Sequence, residues 1–178
     1  MYQRKTLVYV IVLALVISSA LALYSGARVL SLEQEKASIL DAISKKCVSY
    51  MYRVGEDIRT LLHLLEENST VDAVRYKAEA TFYNAYMLAE LTQVLYDHTG
   101  EDKYLKLHGA FCWLCNFLMD ALSDEPSNTK PILVKNSRSL DEVASLVLEI
   151  ASCGDLKQAP ADLVEQLYDA ASQLSKYK

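Results

Sequence analysis

Glycine and proline are scarce in this chain, five and three among 178 residues. With Val and Ile scattered instead of alternating, that scarcity excludes a fold of short strands and tight turns and points to helix. The signatures GxxxxGKS/T, HExxH, GxSxG and GxGxxG are missing as well, so phosphate cradles, zinc-peptidase sites and nucleophile elbows have no motif to stand on. Basic residues are in deficit, 18 Lys and Arg against 23 Asp and Glu with a net charge of −5, which leaves no positive face for nucleic acid. The histidines, His63, His98 and His108, have no metal-ligand spacing among themselves. His108 alone falls near a cysteine, where a hydrogen-bonded core histidine is the plainer expectation than a metal ligand. Carboxylates gather at Glu66-Glu67, Glu101-Asp102 and Asp124-Glu125, near helix ends, where solvation and the helix dipole account for them. We therefore expect a protein that is not an enzyme and holds no cofactor.

Charge is absent altogether from Thr6 to Ala27, TLVYVIVLALVISSALALYSGA, after the basic start MYQRK. As a helix this run is roughly 33 Å long, enough for a hydrocarbon core of about 30 Å. Ala20-Leu21-Ala22 offers a signal-peptidase site, but the apolar run continues past it to Arg28, longer than a signal requires, so a retained anchor is expected over a cleaved signal. Arg4 and Lys5 crowd the short side of the run, which places the N-terminus in the cytoplasm and residues 28–178 outside the cell. In that orientation Asn68-Ser69-Thr70 is a glycosylation candidate at Asn68.

The remaining length suits one domain. A helix from about Val29 to Glu67 carries a seam at Leu40, Ile43, Cys47, Tyr50, Val54, Ile58, Leu61 and Leu65, and it continues directly from the membrane helix with Gly26 as the weak point between them. A second, Val71 to His98, has a strict heptad series at Val71, Val74, Ala78, Thr81, Ala85, Leu88, Thr92 and Leu95, ended by Thr99-Gly100. The third, Glu101 to Ser123, contains AFCWLCNFLM, apolar nearly all round, with a core-facing series Leu105, His108, Cys112, Cys115, Met119 and Leu122. Asp124 to Asn136, with Pro126 and Pro131, reads as a loop. Ser139-Leu140-Asp141-Glu142 has the form of a capping box opening a fourth helix that Gly154 closes, and Pro160 opens a fifth that runs to near Ser175. The expected fold is all-α: an N-terminal transmembrane helix continuing into an antiparallel bundle of four to five helices, with residues 1–27 as anchor and 28–178 as the extracytoplasmic domain.

Four cysteines are the chemically pointed feature. A ruler of about 1.5 Å per residue puts Cys47 roughly 30 Å and Cys112 roughly 26 Å below the Asn68 turn, with Cys115 one turn away and Cys153 at similar depth. Outside a membrane this predicts two disulfides, Cys47 with Cys112 or Cys115 and Cys153 with the other. Buried free thiols, or a thiol redox or metal centre, are the alternatives. Twelve tyrosines are many. Tyr76, Tyr83, Tyr86, Tyr104, Phe111 and Trp113 are candidates for a ligand pocket between the second and third helices, with core packing as the blander account. The functional expectation is a single-pass, membrane-anchored helical bundle, held by residues 6–27, that binds a protein partner or small ligand. A membrane-tethered thiol redox or metal protein, or a secreted or pilin-like structural protein, stands behind it.

Overall fold

The computed structural model describes the backbone of residues 2–174 and the side chains of residues 18, 19, 21 and 23–174. Among them every element is helical: α1 (Tyr2–Glu66), α2 (Val71–Thr99), α3 (Asp102–Ser123), α4 (Pro126–Lys135), α5 (Ser137–Ser152), a 3-10 turn (Leu156–Gln158) and α6 (Ala161–Ser172). The chain divides into two compact units. In the smaller, Met1–Asp41, α1 is the sole element and runs through Gly26 without a break. Its described side chains from Ser18 to Ile39 are exposed, Leu23, Tyr24, Leu30 and Leu32 among them.

The larger unit, Ala42–Lys178, is the helical bundle. Here α1 buries Cys47, Met51, Val54, Ile58 and Leu61, so its three-four seam is the inner face; Met51 is fully buried beside a half-exposed Tyr50. Residue Asn68 turns the chain with φ 53, a left-handed angle that Asn tolerates, and Thr70 then caps α2 by accepting from the Ala73 N–H at 3.3 Å. At the far end Gly100 takes φ 69 and donates its N–H to the Tyr96 carbonyl at 2.7 Å.

Polar staples set the register of α2 against α3. Arg75 donates to the Leu122 carbonyl, the Cys115 thiol points at the Phe82 carbonyl, and His108 meets the Ala89 carbonyl. Seven residues up α2 match seven down α3 at each step, the signature of an antiparallel pair. Arg75 also donates to the Thr129 hydroxyl at 2.8 Å, and Thr129 donates to the Ala121 carbonyl at 3.1 Å, which docks α4. On the other side of α2, Lys77 pairs with Asp57 and Asn84 donates to the same carboxylate at 2.7 Å, tying α2 to α1. Helix α6 packs on α3 and α5. No buried side-chain nitrogen or oxygen is left without a partner among the described residues.

Two glycines permit close helix crossings. A Cβ on Gly55 would stand 2.5 Å from the Leu148 Cγ of α5, and one on Gly109 would stand 2.8 Å from the Tyr168 ring of α6.

Several expectations are corrected. Asp124 to Asn136 is not a loop: Pro126 occupies the first helical turn, where its missing N–H is harmless, and the Thr129 anchor holds α4 in place despite Pro131 within it. The capping box is not used, because α5 begins at Ser137, directly after Asn136, so Ser139 lies inside the helix. The core face of α3 is also different. Tyr104, Leu107, Phe111, Leu114 and Leu118 are buried, while Leu105 and Met119 are exposed, since a helix apolar on all sides does not announce which side faces inward. Among the described residues no helix is long and apolar enough to cross a membrane. The anchor expected over residues 6–27 rests mainly on side chains that lie outside the described residues.

The crossings yield a test. Gly55→Ala gains about 1 kcal/mol of helix propensity but forces the branched Leu148 to move, an overpacking cost of roughly 1–3 kcal/mol. Urea unfolding of the full chain is expected to give a net loss for Gly55→Ala and for Gly109→Ala, and none for Gly26→Ala, where a Cβ meets open space.

Candidate functional site

The four cysteines are free thiols, and the expected bridges are not made. The ruler measured depth and missed azimuth. Cys47 faces inward from α1 at the level of Tyr104 and Asp155, whose carboxylate accepts from Ser44 one turn below at 3.0 Å. Tyr104 lies eight residues, about 12 Å, from Cys112 along α3. Cys115 turns toward α2, at 3.9 Å from the Phe82 carbonyl, and Cys153 bonds back to the Glu149 carbonyl of its own helix at 3.8 Å. Cys47 and Cys153 lie apart from the others, Cys112 is close enough to Cys115 to act on its thiol, and no group of three His, Cys, Asp or Glu side chains able to hold a metal occurs among the described residues.

Burial makes two of these thiols inert. The Cys47 and Cys115 thiols are each pushed up to about 12, chiefly because a thiolate there would lose its water. Tyr104, fully buried, is likewise raised to about 12 by burial first and then by the charges of Glu101 and Asp155. The Cys112 thiol is raised as well, by burial and then by Glu90. Its setting differs in one respect: the His108 ring lies beside its sulfur, with Nε2 at 3.4 Å and Nδ1 at 3.9 Å, and that Nδ1 is 2.9 Å from the Ala89 carbonyl. The signal was in the sequence as the four-residue step from His108 to Cys112, one helical turn.

The aromatic residues do not converge on one pocket, which corrects that expectation. Tyr104 and Phe111 are 1 % exposed and belong to the core, whereas Tyr76, Tyr83, Tyr86 and Trp113 are between 45 % and 75 % exposed. What the sequence reading missed is their alignment. Tyr76, Tyr83, Met87 and Val94 follow one another at steps of seven, four and seven, so they form a single exposed line along α2. Phe82 stacks on Tyr86 with ring centres 6.4 Å apart, and a shallow groove of about 370 Å³ joins Phe82 and Tyr83 to Met119 and Leu122 of α3, with Glu79 at its edge. A second groove, about 620 Å³, lies where the end of α1 meets the start of α5 and carries Arg59, His63, Glu66, Arg138 and Asp141. Asn68 stands exposed in its turn, with its side-chain oxygen accepting from Lys130 at 3.0 Å.

Comparisons with protein-family models, curated proteins and solved structures find no match for this chain.

The buried acids make stability pH-dependent. The unfolded thiols of Cys47 and Cys115 release protons near their ordinary 9.0, while the folded ones hold them to about 12. Above 9 the unfolded chain therefore binds fewer protons than the native one, and rising pH favours unfolding. Stability is expected to be flat below pH 8 and to fall steadily from 9 to 12 in urea titrations. Cys47→Val, which cannot ionise, is expected to lessen that fall.

Proposed function

We propose that this chain is a single-pass, membrane-anchored protein whose helical bundle binds a partner protein and is not an enzyme. Residues 6–27 are the anchor in this reading, Arg4 and Lys5 keep the N-terminus in the cytoplasm, and the bundle stands outside the cell. The uncharged run supports the anchor, and the weighting of Lys and Arg supports its direction.

The line of Tyr76, Tyr83, Met87 and Val94 along α2, with Tyr86 beside it and Met119 across the groove, is the observation that carries the binding role. Single exposed apolar residues are ordinary, but here several large ones share one helix face while polar residues take the other exposed positions. Tyrosine and methionine are the side chains that interfaces favour, and burying each releases roughly 1.5–3 kcal/mol of solvation cost. Glu79 and Glu90 lie on the same exposed side, so the matching partner surface is apolar with a basic border.

A photo-cross-linking residue at Tyr83 is expected to trap one discrete partner in native membranes, and the same residue at exposed Glu149 to trap none. Met87→Glu is expected to abolish the product while shifting folding stability by no more than about 0.5 kcal/mol, as surface changes do. Equal trapping at both positions would remove the binding surface. Separately, the full chain is expected to resist a carbonate wash of membranes and a chain lacking residues 1–27 to be released; release of both would remove the anchor.

A further inference from the structure

The triplet Asn68-Ser69-Thr70 lies in the connection between α1 and α2, and the fold leaves the Asn68 and Thr70 side chains exposed there. An ammonium can only donate, so Lys130 Nζ, 3.0 Å away, decides which end of the Asn68 amide faces it: the oxygen, Oδ1. The nitrogen, Nδ2, is the other end, and among the described residues no group accepts a hydrogen bond from it. Lys130 also donates to the Ser69 carbonyl, and Thr70 caps α2 by accepting from the Ala73 N–H at 3.3 Å, so the triplet is held on a turn with its amide nitrogen outward. We propose that Asn68 is N-glycosylated at Nδ2, an inference that rests on the bundle standing outside the cell.

The donor is a saccharide joined through its anomeric carbon to a lipid phosphate. The Asn68 Nδ2 bonds to that carbon as the bond from the carbon to the phosphate oxygen breaks. The lipid phosphate leaves with the electron pair, and the amide gives up one N–H proton to water. The folded bundle accepts the product as it stands: the substituted amide keeps its Oδ1, so the Lys130 bond survives, and Nδ2 surrenders no hydrogen bond within the chain. The other asparagines lack Ser or Thr two residues on. Two of them are also engaged through Nδ2, Asn84 with the Asp57 carboxylate and the buried Asn136 with the Ile132 carbonyl. Asn116 and Asn128 are exposed without the motif and serve as internal references.

The full chain, taken from its native membrane and digested, is read by peptide mass spectrometry. The Asn68 peptide is expected to carry a saccharide mass that the Asn116 and Asn128 peptides lack. Asn68→Asp, which tolerates the left-handed angle and keeps the Oδ1 acceptor but has no Nδ2, is expected to lose that mass. Thr70→Ser keeps both the motif and a capping hydroxyl, and is expected to retain it. A bare Asn68 peptide in the unaltered chain, or the same saccharide mass in Asn68→Asp, overturns the proposal. Labelling whole cells with a membrane-impermeant amine reagent separates the two ways of failing. Bundle lysines labelled in whole cells beside a bare Asn68 remove the glycan and leave the orientation standing. Lysines labelled only after the cells are opened remove both.

Discussion

The register between α2 and α3 is the constraint on which the bundle depends. Both helices offer long apolar or small faces that slide past one another with little change in buried area. What pins them is a set of directed hydrogen bonds: Arg75 to the Leu122 carbonyl, His108 to the Ala89 carbonyl, and the Thr129 hydroxyl that joins Arg75 to the Ala121 carbonyl. A slip of one turn would part these groups from their partners, and an unmet donor costs about 1–3 kcal/mol where it is buried, as the Thr129 hydroxyl is. Hydrophobic burial holds the pair together, and these hydrogen bonds choose the alignment.

Two features of the molecule inherit that alignment. The His108 imidazole reaches the Ala89 carbonyl at this register, with the Cys112 sulfur beside its ring. Met119 is likewise brought beside Phe82 and Tyr83, which widens the exposed line on α2 into a surface with contributions from two helices.

How far the sequence was legible varied with how unevenly each helix is painted. In α2 the small and apolar inner positions recur strictly, and Thr70 and Gly100 mark both ends, so its limits and its buried face could be read to within a residue or two. In α3 nearly every position is apolar, and no choice of face is favoured; the one read, through Leu105 and Met119, stands partly in solvent. Two prolines made α4 look like a loop, although one sits where a helix tolerates it and a distant threonine anchors the rest. For the cysteines, counting residues from a turn yields height along a helix but not the direction of the side chain. Cys47 and Cys112 are therefore unbridged despite their similar counts from the turn. The tyrosines were seen as a group, and their exposure, which depends on what packs over α2, was not readable from their spacing.

Four unbridged thiols have a consequence for how the domain comes to be folded. Its compactness owes nothing to covalent links between helices. A reductant therefore finds no bridge between these helices to cut.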